Sequence, residues 1–143
     1  MTETVRKLKI LVVDDDPSMI KLISFYLSTQ NCDITSVTRG AEALNILKTQ
    51  GFDIIFIDVF MPEMDGYTLL KKMIGEYKIE SPIIAVTAHG ATDDLMRMIT
   101  DGAYDILQKP FTGNRLKLTM RNALRYNSLL LKCKKLEKTA AQD

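Results

Sequence analysis

The sequence predicts an α/β fold in which a five-stranded parallel sheet carries helices on both faces. Five short apolar runs, rich in β-branched residues, alternate with segments that repeat apolar residues at helical spacing. Such runs are typical of strands buried on both faces, and right-handed crossovers distribute the connecting helices over the two faces. Four of the runs end on polar residues. Because parallel strands place their carboxyl ends at one edge, where open α/β sheets bind ligands, we expect those residues to meet there.

The first half of the chain contains three predicted strands and two predicted helices. The pair Asp16 and Pro17 supplies an N-cap and a first-turn proline for the first helix. The second helix is predicted at Ala41–Gln50, with Gly51 as its C-terminal cap. The three predicted strands are Lys9–Val13, Ile34–Val37 and Ile54–Ile57.

The second half continues the same alternation. Pro62 and Gly66 predict a loop before the next helix, because both residues interrupt regular structure. Thr92 is expected to cap the fourth helix, and Gly102 is expected to end it. The remaining predicted elements are the helix Tyr67–Tyr77 and the strands Ile83–Val86 and Ile106–Gln108.

The last predicted helix is longer than the domain needs. It runs from about Thr112 to Lys138 and would span roughly 40 Å. Its later part repeats apolar residues at spacings of three and four, which predicts two heptads of a coiled-coil seam and a possible homodimer. The seam residues are Tyr126, Leu129, Cys133, Leu136 and Ala140. We therefore divide the chain into a domain at residues 1–125 and a helical extension, a linker or short coiled coil, at residues 126–143.

Length and composition limit the function classes. A chain of 143 residues with 46% hydrophobic residues can build one core but hardly two domains. The sequence has no apolar stretch of about 20 residues and no signal-peptide segment near its first residue, so we expect a cytoplasmic protein that does not contact membranes. Two widely spaced cysteines, Cys32 and Cys133, do not form a disulfide framework and are expected to stay reduced.

The charges are divided between an acidic body and a basic tail. Residues 1–111 hold 11 Lys and Arg against 16 Asp and Glu, whereas residues 112–143 hold 8 against 2. A basic tail can indicate nucleic-acid binding. Here the basic residues fall on a predicted helix that also carries an apolar stripe, and the tail is too short for a helix-turn-helix domain. A solvated helix face is the favoured interpretation, so we expect no direct nucleic-acid binding by this segment.

The polar residues at the strand ends predict a phosphorylation site. Asp14 and Asp15 follow the first strand and Asp58 follows the third, so three carboxylates converge and call for a divalent cation such as Mg²⁺. Thr87 and Lys109, at the ends of the last two strands, offer a hydroxyl and a positive charge to a phosphoryl group. A carboxylate can act as the nucleophile and form an aspartyl phosphate. Asp58, which is central at this edge, is the expected nucleophile.

Four segments, VVDDDPSM, IDVFMPEMDG, VTAHG and QKPF, resemble the signature segments of receiver domains from two-component response regulators. The resemblance covers roughly Lys9–Ala123 and implies a flavodoxin-like doubly wound fold with strand order 2-1-3-4-5. It implies these roles: metal binding for Asp14, Asp15, Asp58 and the Phe60 carbonyl, phosphorylation for Asp58, switching for Thr87 and phosphate binding for Lys109. The implied partners are a sensor histidine kinase or phosphotransfer protein and an output domain or partner protein, with transcription regulation as one output.

Three positions affect how long the phosphoryl group would last at this receiver-like site and how phosphorylation would change the structure. Such domains usually carry an aromatic residue three positions before the lysine, but this chain has Ile106, and nearby Tyr104 is not assigned that role. Phe60 is expected to slow self-dephosphorylation by restricting water. His89 is interpreted first as a residue at the rim of the site and second as a base.

Two other functions compete with a self-phosphorylating and self-dephosphorylating switch. An aspartate-nucleophile phosphatase of similar fold would want an acid two residues after the nucleophile, where this chain has Phe60. A flavin or nucleotide binder would need a glycine-rich first turn, whereas DDDPS presents anions. The favoured hypothesis is a phosphorelay switch, either as a separate receiver or as the first part of a larger regulator.

Overall fold

The computed structural model describes residues 6–88 and 93–142, apart from the side chains of residues 94 and 138–142. Its core is a five-stranded sheet in the order β2-β1-β3-β4-β5, and every neighbouring pair is parallel. The strands are β1 Leu8–Val13, β2 Cys32–Val37, β3 Ile54–Asp58, β4 Ile83–Thr87 and β5 Asp105–Gln108. The predicted architecture and strand order are therefore confirmed. The predictions for His89 and Thr92 lie outside the described residues.

Five helices connect or follow the strands: α1 Pro17–Tyr26, α2 Gly40–Leu47, α3 Gly66–Gly75, α4 Asp93–Thr100 and α5 Gly113–Gln142. The predicted cap of α1 is confirmed, because the Asp16 carboxylate accepts a hydrogen bond from the Ser18 amide at 2.9 Å and Pro17 follows it. Gly102 has a φ of 126°, a conformation that favours glycine, and it follows the end of α4 as predicted.

Several helix ends differ from the prediction, among them the end of α3, which lies at Gly75 rather than Tyr77, and two of the differences involve a cap. Helix α2 ends at Leu47 rather than Gln50, and its C-cap is Lys48, so Gly51 does not cap it. The amides of Thr49 and Gln50 instead bond to the carbonyl of Ile46, which closes the helix with a tight turn. Helix α3 begins one residue earlier than predicted, because Asp65 accepts a hydrogen bond from the Thr68 amide at 2.7 Å and acts as N-cap.

The sheet separates two apolar layers. Alternate residues of β3 point to opposite faces: Ile55 and Ile57 pack with residues of α2, α3 and α4, whereas Ile54 and Phe56 pack with residues of α1 and α5. All four side chains are fully buried. A strand buried on both faces is held in one register, because a slip of one residue would exchange its two faces. This packing fixes where β3 ends and therefore where Asp58 lies.

Helix α5 extends beyond the domain. Its last fully buried residue is Ala123, and from Arg125 to Glu137 all side chains are exposed except that of Asn127, which is half-buried. We name residues 126–142 the α5 extension. It touches the body through the rings of Tyr126 and Tyr104, 5.5 Å apart, and through an ion pair between Lys134 and Glu80 at 3.5 Å. None of the described helices is long and apolar enough to cross a membrane.

Candidate functional site

The carboxyl edge of the sheet gathers the polar residues that the sequence places at strand ends. Asp14 follows β1, Asp58 ends β3, Thr87 ends β4 and Lys109 follows β5. Asp14, Asp58 and Thr87 are buried, with exposed fractions of 2%, 6% and 0%. Burial of two carboxylates beside each other is unfavourable unless something compensates their charge. The arrangement of this edge therefore indicates that a positively charged group or ion compensates the two buried carboxylates.

Three carboxylates form one cluster at this edge. Ligand oxygens of Asp14, Asp15 and Asp58 all lie within 4.8 Å of one another, and Asp15 is exposed to solvent. Asp14 is held in place because its amide donates to the Val37 carbonyl at 3.1 Å and its carboxylate accepts from the Asp16 amide at 2.9 Å. Hard oxygen ligands open to water on one side suit Mg²⁺, which keeps several waters and few protein ligands. The donor set thus fits the predicted metal.

Lys109 provides the positive charge inside the cluster. Its Nζ lies 3.4 Å from Oδ2 of Asp14 and 3.7 Å from Oδ1 of Asp58, and its side chain is only 18% exposed. The backbone amide of Lys109 donates to the carbonyl of Thr87 at 2.6 Å, which ties the loop after β5 to the end of β4. One ammonium group therefore lies against both buried carboxylates.

The surroundings of Asp58 change the pKa of its carboxyl group. Burial raises the pKa of its carboxyl group to about 7, and the negative charge of Asp14 adds to that effect. Lys109 acts in the opposite direction, a hydrogen bond with the Asp15 side chain raises the pKa, and the Phe60 amide, 3.4 Å from Oδ1, lowers it. A cation bound between the acids would favour the charged form. The site thus has a deficit of positive charge that a divalent ion can fill.

A substitution pair tests this balance in the metal-free protein. Asp14→Asn should lower the pKa of Asp58, because it removes the neighbouring negative charge, whereas Lys109→Met should raise it, because it removes the attraction to the ionised form. Titration of the Asp58 side-chain carbon by NMR in the presence of a chelator measures both shifts. Shifts of the same sign in the two variants would contradict the assigned causes.

Comparison with known proteins identifies the family. A family model described as the response regulator receiver domain matches residues 10–121. The chain belongs to this family. The two-component response regulator ARR11 of Arabidopsis thaliana is 35% identical over 120 residues, which cover 82% of this chain and 23% of the relative. The heme response regulator HssR of Staphylococcus aureus is 37% identical over 118 residues, which cover 82% of this chain and 52% of the relative. The chain thus spans at most about half the length of these two relatives.

Solved structures agree with the family and the fold. The receiver domain of the Francisella response regulator 1452 superposes with a TM-score of 0.75 and 31% identity, covering 84% of this chain and 98% of that one. NtrX of Brucella abortus superposes with a TM-score of 0.84 and 27% identity, covering 92% of this chain and 30% of that one. The chain is therefore a receiver domain of the two-component type, a class of signalling switch, with the flavodoxin-like fold and a long final helix.

Two further predicted positions of the receiver domain occupy different surroundings. The Phe60 amide donates to Asp58, so its backbone lies next to the phosphoacceptor candidate, whereas its side chain is 57% exposed. Ile106 is half-buried and packs on the α2, α3 and α4 side of the sheet. Tyr104 packs on the opposite layer, beside Tyr126. Tyr104 thus does not substitute for an aromatic residue at position 106.

Gly66 contributes to the site in a way that the sequence reading missed. A Cβ at this position would lie 2.5 Å from the carbonyl oxygen of Asp58 and 2.8 Å from Cα of Val59. The Gly66 amide also donates to the Val59 carbonyl at 2.8 Å. The first residue of α3 therefore lies against the backbone of the phosphoacceptor candidate. The sequence signal was Gly66 itself, which predicts a loop equally well and so did not disclose the contact.

Proposed function

We propose that Asp58 accepts a phosphoryl group from a phosphohistidine of a sensor kinase or phosphotransfer protein, in a reaction that depends on Mg²⁺. The observation that carries this proposal is the position of Asp58, buried at the carboxyl edge between two other carboxylates and the ammonium group of Lys109. Membership of the receiver family supports the same role. The predicted roles of Asp14, Asp15, Thr87 and Lys109 are part of the proposal.

The transfer depends on positioning and on electrostatic stabilisation, and no side chain other than that of Asp58 forms a covalent bond to the phosphoryl group. An oxygen of Asp58 attacks phosphorus, the bond between phosphorus and the donor imidazole breaks, and the imidazole nitrogen keeps the electron pair and takes a proton. Lys109 Nζ, already 3.7 Å from Asp58, would bind a phosphoryl oxygen, and the Thr87 hydroxyl would donate to another. Mg²⁺ held by Asp14, Asp15, Asp58 and the Phe60 carbonyl would neutralise charge on the phosphoryl oxygens.

Phosphorylation would act as a signal because it changes the charge of a buried site. A phosphoryl group adds about −1.5 to −2 charge, which would draw Lys109 and Thr87 toward Asp58. Both residues belong to strand ends next to α4 and β5, so their movement would alter that face of residues 1–125. An output domain or partner protein, including a transcription regulator, would respond to the change, with the α5 extension as the linking helix.

The alternative of a phosphatase that turns over external substrates is less well supported. A phosphatase of similar fold would want an acid two residues after its nucleophile, but the side chain at that place is the exposed ring of Phe60. Phe60 is instead proposed to limit water access and to slow loss of the phosphoryl group from Asp58. We also propose a cytoplasmic location, where the free cysteines Cys32 and Cys133 would remain reduced.

Labelling with acetyl phosphate tests the proposal. With Mg²⁺, the wild-type chain should gain one acid-stable and base-labile phosphoryl group by intact-mass measurement, and chelation should prevent the gain. Asp58→Asn should gain none, whereas Asp53→Asn, a carboxylate outside the cluster, should label normally. Equal labelling of Asp58→Asn would refute the assignment. Repeated hydrolysis of p-nitrophenyl phosphate by the wild type would favour the phosphatase.

A further inference from the structure

The α5 extension presents two different sides. One side faces the body: Asn127, Leu130 and Lys134 line a cavity of about 460 Å³ between α5 and the amino edge of the sheet. The other side carries Leu129 and Leu136, which are 55% and 70% exposed, with Cys133 between them. Residues separated by three or four positions share a face of a helix, so these three form one stripe that points away from the body.

We propose that a second copy of this chain covers the stripe, in a parallel and in-register two-stranded coiled coil. The stripe follows the heptad pattern, with Cys133 at an a position and Leu129 and Leu136 at d positions. Tyr126, at the preceding a position, packs against Tyr104 of the body and marks where the stripe begins. In this arrangement each stripe residue faces the same residue of the second copy. The pairing is isologous, which means that the same surface of each copy forms the interface and no other kind of partner is needed.

The charges beside the stripe favour self-association in the parallel direction. Lys132 occupies a g position and Glu137 the following e position, and both are exposed. In a parallel pair, Lys132 meets Glu137 of the second copy, and the reciprocal contact forms on the other side. An antiparallel pair would place g positions beside g positions and e positions beside e positions, so Lys132 and Glu137 would lie on opposite sides of the coil and could not pair. Within one helix the two residues are five positions apart and are not neighbours on its surface.

The geometry of the domain permits this pairing without covering the site. Helix α5 begins after β5, at the carboxyl edge, and its extension lines cavities with residues of the amino edge such as Ser81. The coiled coil would therefore emerge at the end of the sheet opposite Asp58. Because the body lies on the other side of α5, the two receiver domains would sit outside the coil. Pairing does not depend on phosphorylation of Asp58, so each can fail separately.

Oxidative cross-linking of the full chain tests direction and register. Diamide should take two electrons and two protons from facing Cys133 thiols and leave a disulfide-linked dimer that denaturing gels detect. Cys133→Ser should give no covalent dimer, although Cys32 remains. As a matched control, Cys133→Ser with Lys135→Cys moves the thiol two positions, off the stripe, and should cross-link at least tenfold less. Equal cross-linking of that control would overturn the proposed register.

Charge exchange tests the ionic contact independently of the thiol. Lys132→Glu and Glu137→Lys should each weaken dimerisation roughly tenfold in sedimentation equilibrium, because each creates two like-charge pairs. A mixture of the two variants, and the double variant, should recover the wild-type affinity. Circular dichroism should show the same helix content in all variants. Unchanged affinity in the single variants, or a wild type that stays monomeric at millimolar concentration, would overturn the proposal.

Discussion

Asp58→Asn is expected to stabilise the metal-free protein by about 2 kcal/mol at pH 8, where the wild type must hold an ionised Asp58. The folded pKa of this carboxyl group is raised to about 7 from an ordinary value of 3.8. Between these two values the folded state binds more protons than the unfolded state, so wild-type stability falls as pH rises and levels off above pH 7. Asparagine has no charge and removes this dependence.

The size of the effect follows from the same shift. The difference between a pKa of about 7 in the folded state and the ordinary value of 3.8 corresponds to roughly 4 kcal/mol as an upper limit. Water at the mouth of the site screens part of the charge, and asparagine gives up the attraction to Lys109, so about half of that limit is expected. At pH 5 the pH has risen only part of the way from 3.8 to about 7, so Asp58→Asn should stabilise the protein by less than about 1 kcal/mol there.

Urea unfolding with a chelator at pH 5 and pH 8 measures both values. Asp16→Asn is the matched control, because asparagine also caps a helix and Asp16 lies outside the carboxylate cluster, so its stability should change by less than about 0.5 kcal/mol. Added Mg²⁺ should stabilise the wild type more than Asp58→Asn. If Asp58→Asn is less stable than the wild type at pH 8, burial does not raise the pKa of Asp58 as described.

The sequence was sufficient to predict the sheet and the meeting of the strand ends. Parallel strands leave few alternatives, since an apolar run that ends in Asp58 and one that ends before Lys109 must both finish at one edge. The pKa of Asp58 could not be read in this way. It depends on the depth of burial and on separations of a few ångströms from Asp14 and Lys109, which only the packed structure gives.

Local ends and faces were harder to predict for a different reason. Gly51 looked like a helix cap, but the chain had already turned at Lys48, because backbone hydrogen bonds close α2 without a left-handed residue. The spacing of Leu129 and Leu136 predicted a stripe but not its orientation. That orientation follows from Ala123 and the buried residues before it, which determine the side of α5 that faces the sheet.

Gly66→Ala should destabilise the protein by about 2–3 kcal/mol and slow phosphorylation roughly 10- to 100-fold. The added methyl group would overlap the backbone of Asp58 and Val59, with distances of 2.5 and 2.8 Å, and backbone cannot move aside as a flexible side chain can. The start of α3 or the end of β3 must shift. A shift of β3 moves the Asp58 carboxylate relative to Lys109 and the other acids, which affects a reaction that depends on positioning.

Gly75→Ala, in the same helix, is the matched control. No atom outside the immediate chain lies within 4 Å of a Cβ there, so alanine should be neutral or stabilise the protein by up to about 1 kcal/mol, because it restricts the unfolded chain. Urea unfolding measures the stabilities, and intact-mass measurement of acetyl-phosphate labelling gives the rate at which Asp58 is phosphorylated.

If Gly66→Ala keeps wild-type stability and labelling rate, α3 can move away without displacing Asp58, and the close contact does not position the phosphoacceptor. If Gly66→Ala is destabilised but labels at the wild-type rate, the strain is absorbed by α3 alone. Loss of both, with Gly75→Ala unaffected, would show that the backbone contact between α3 and β3 helps to position Asp58.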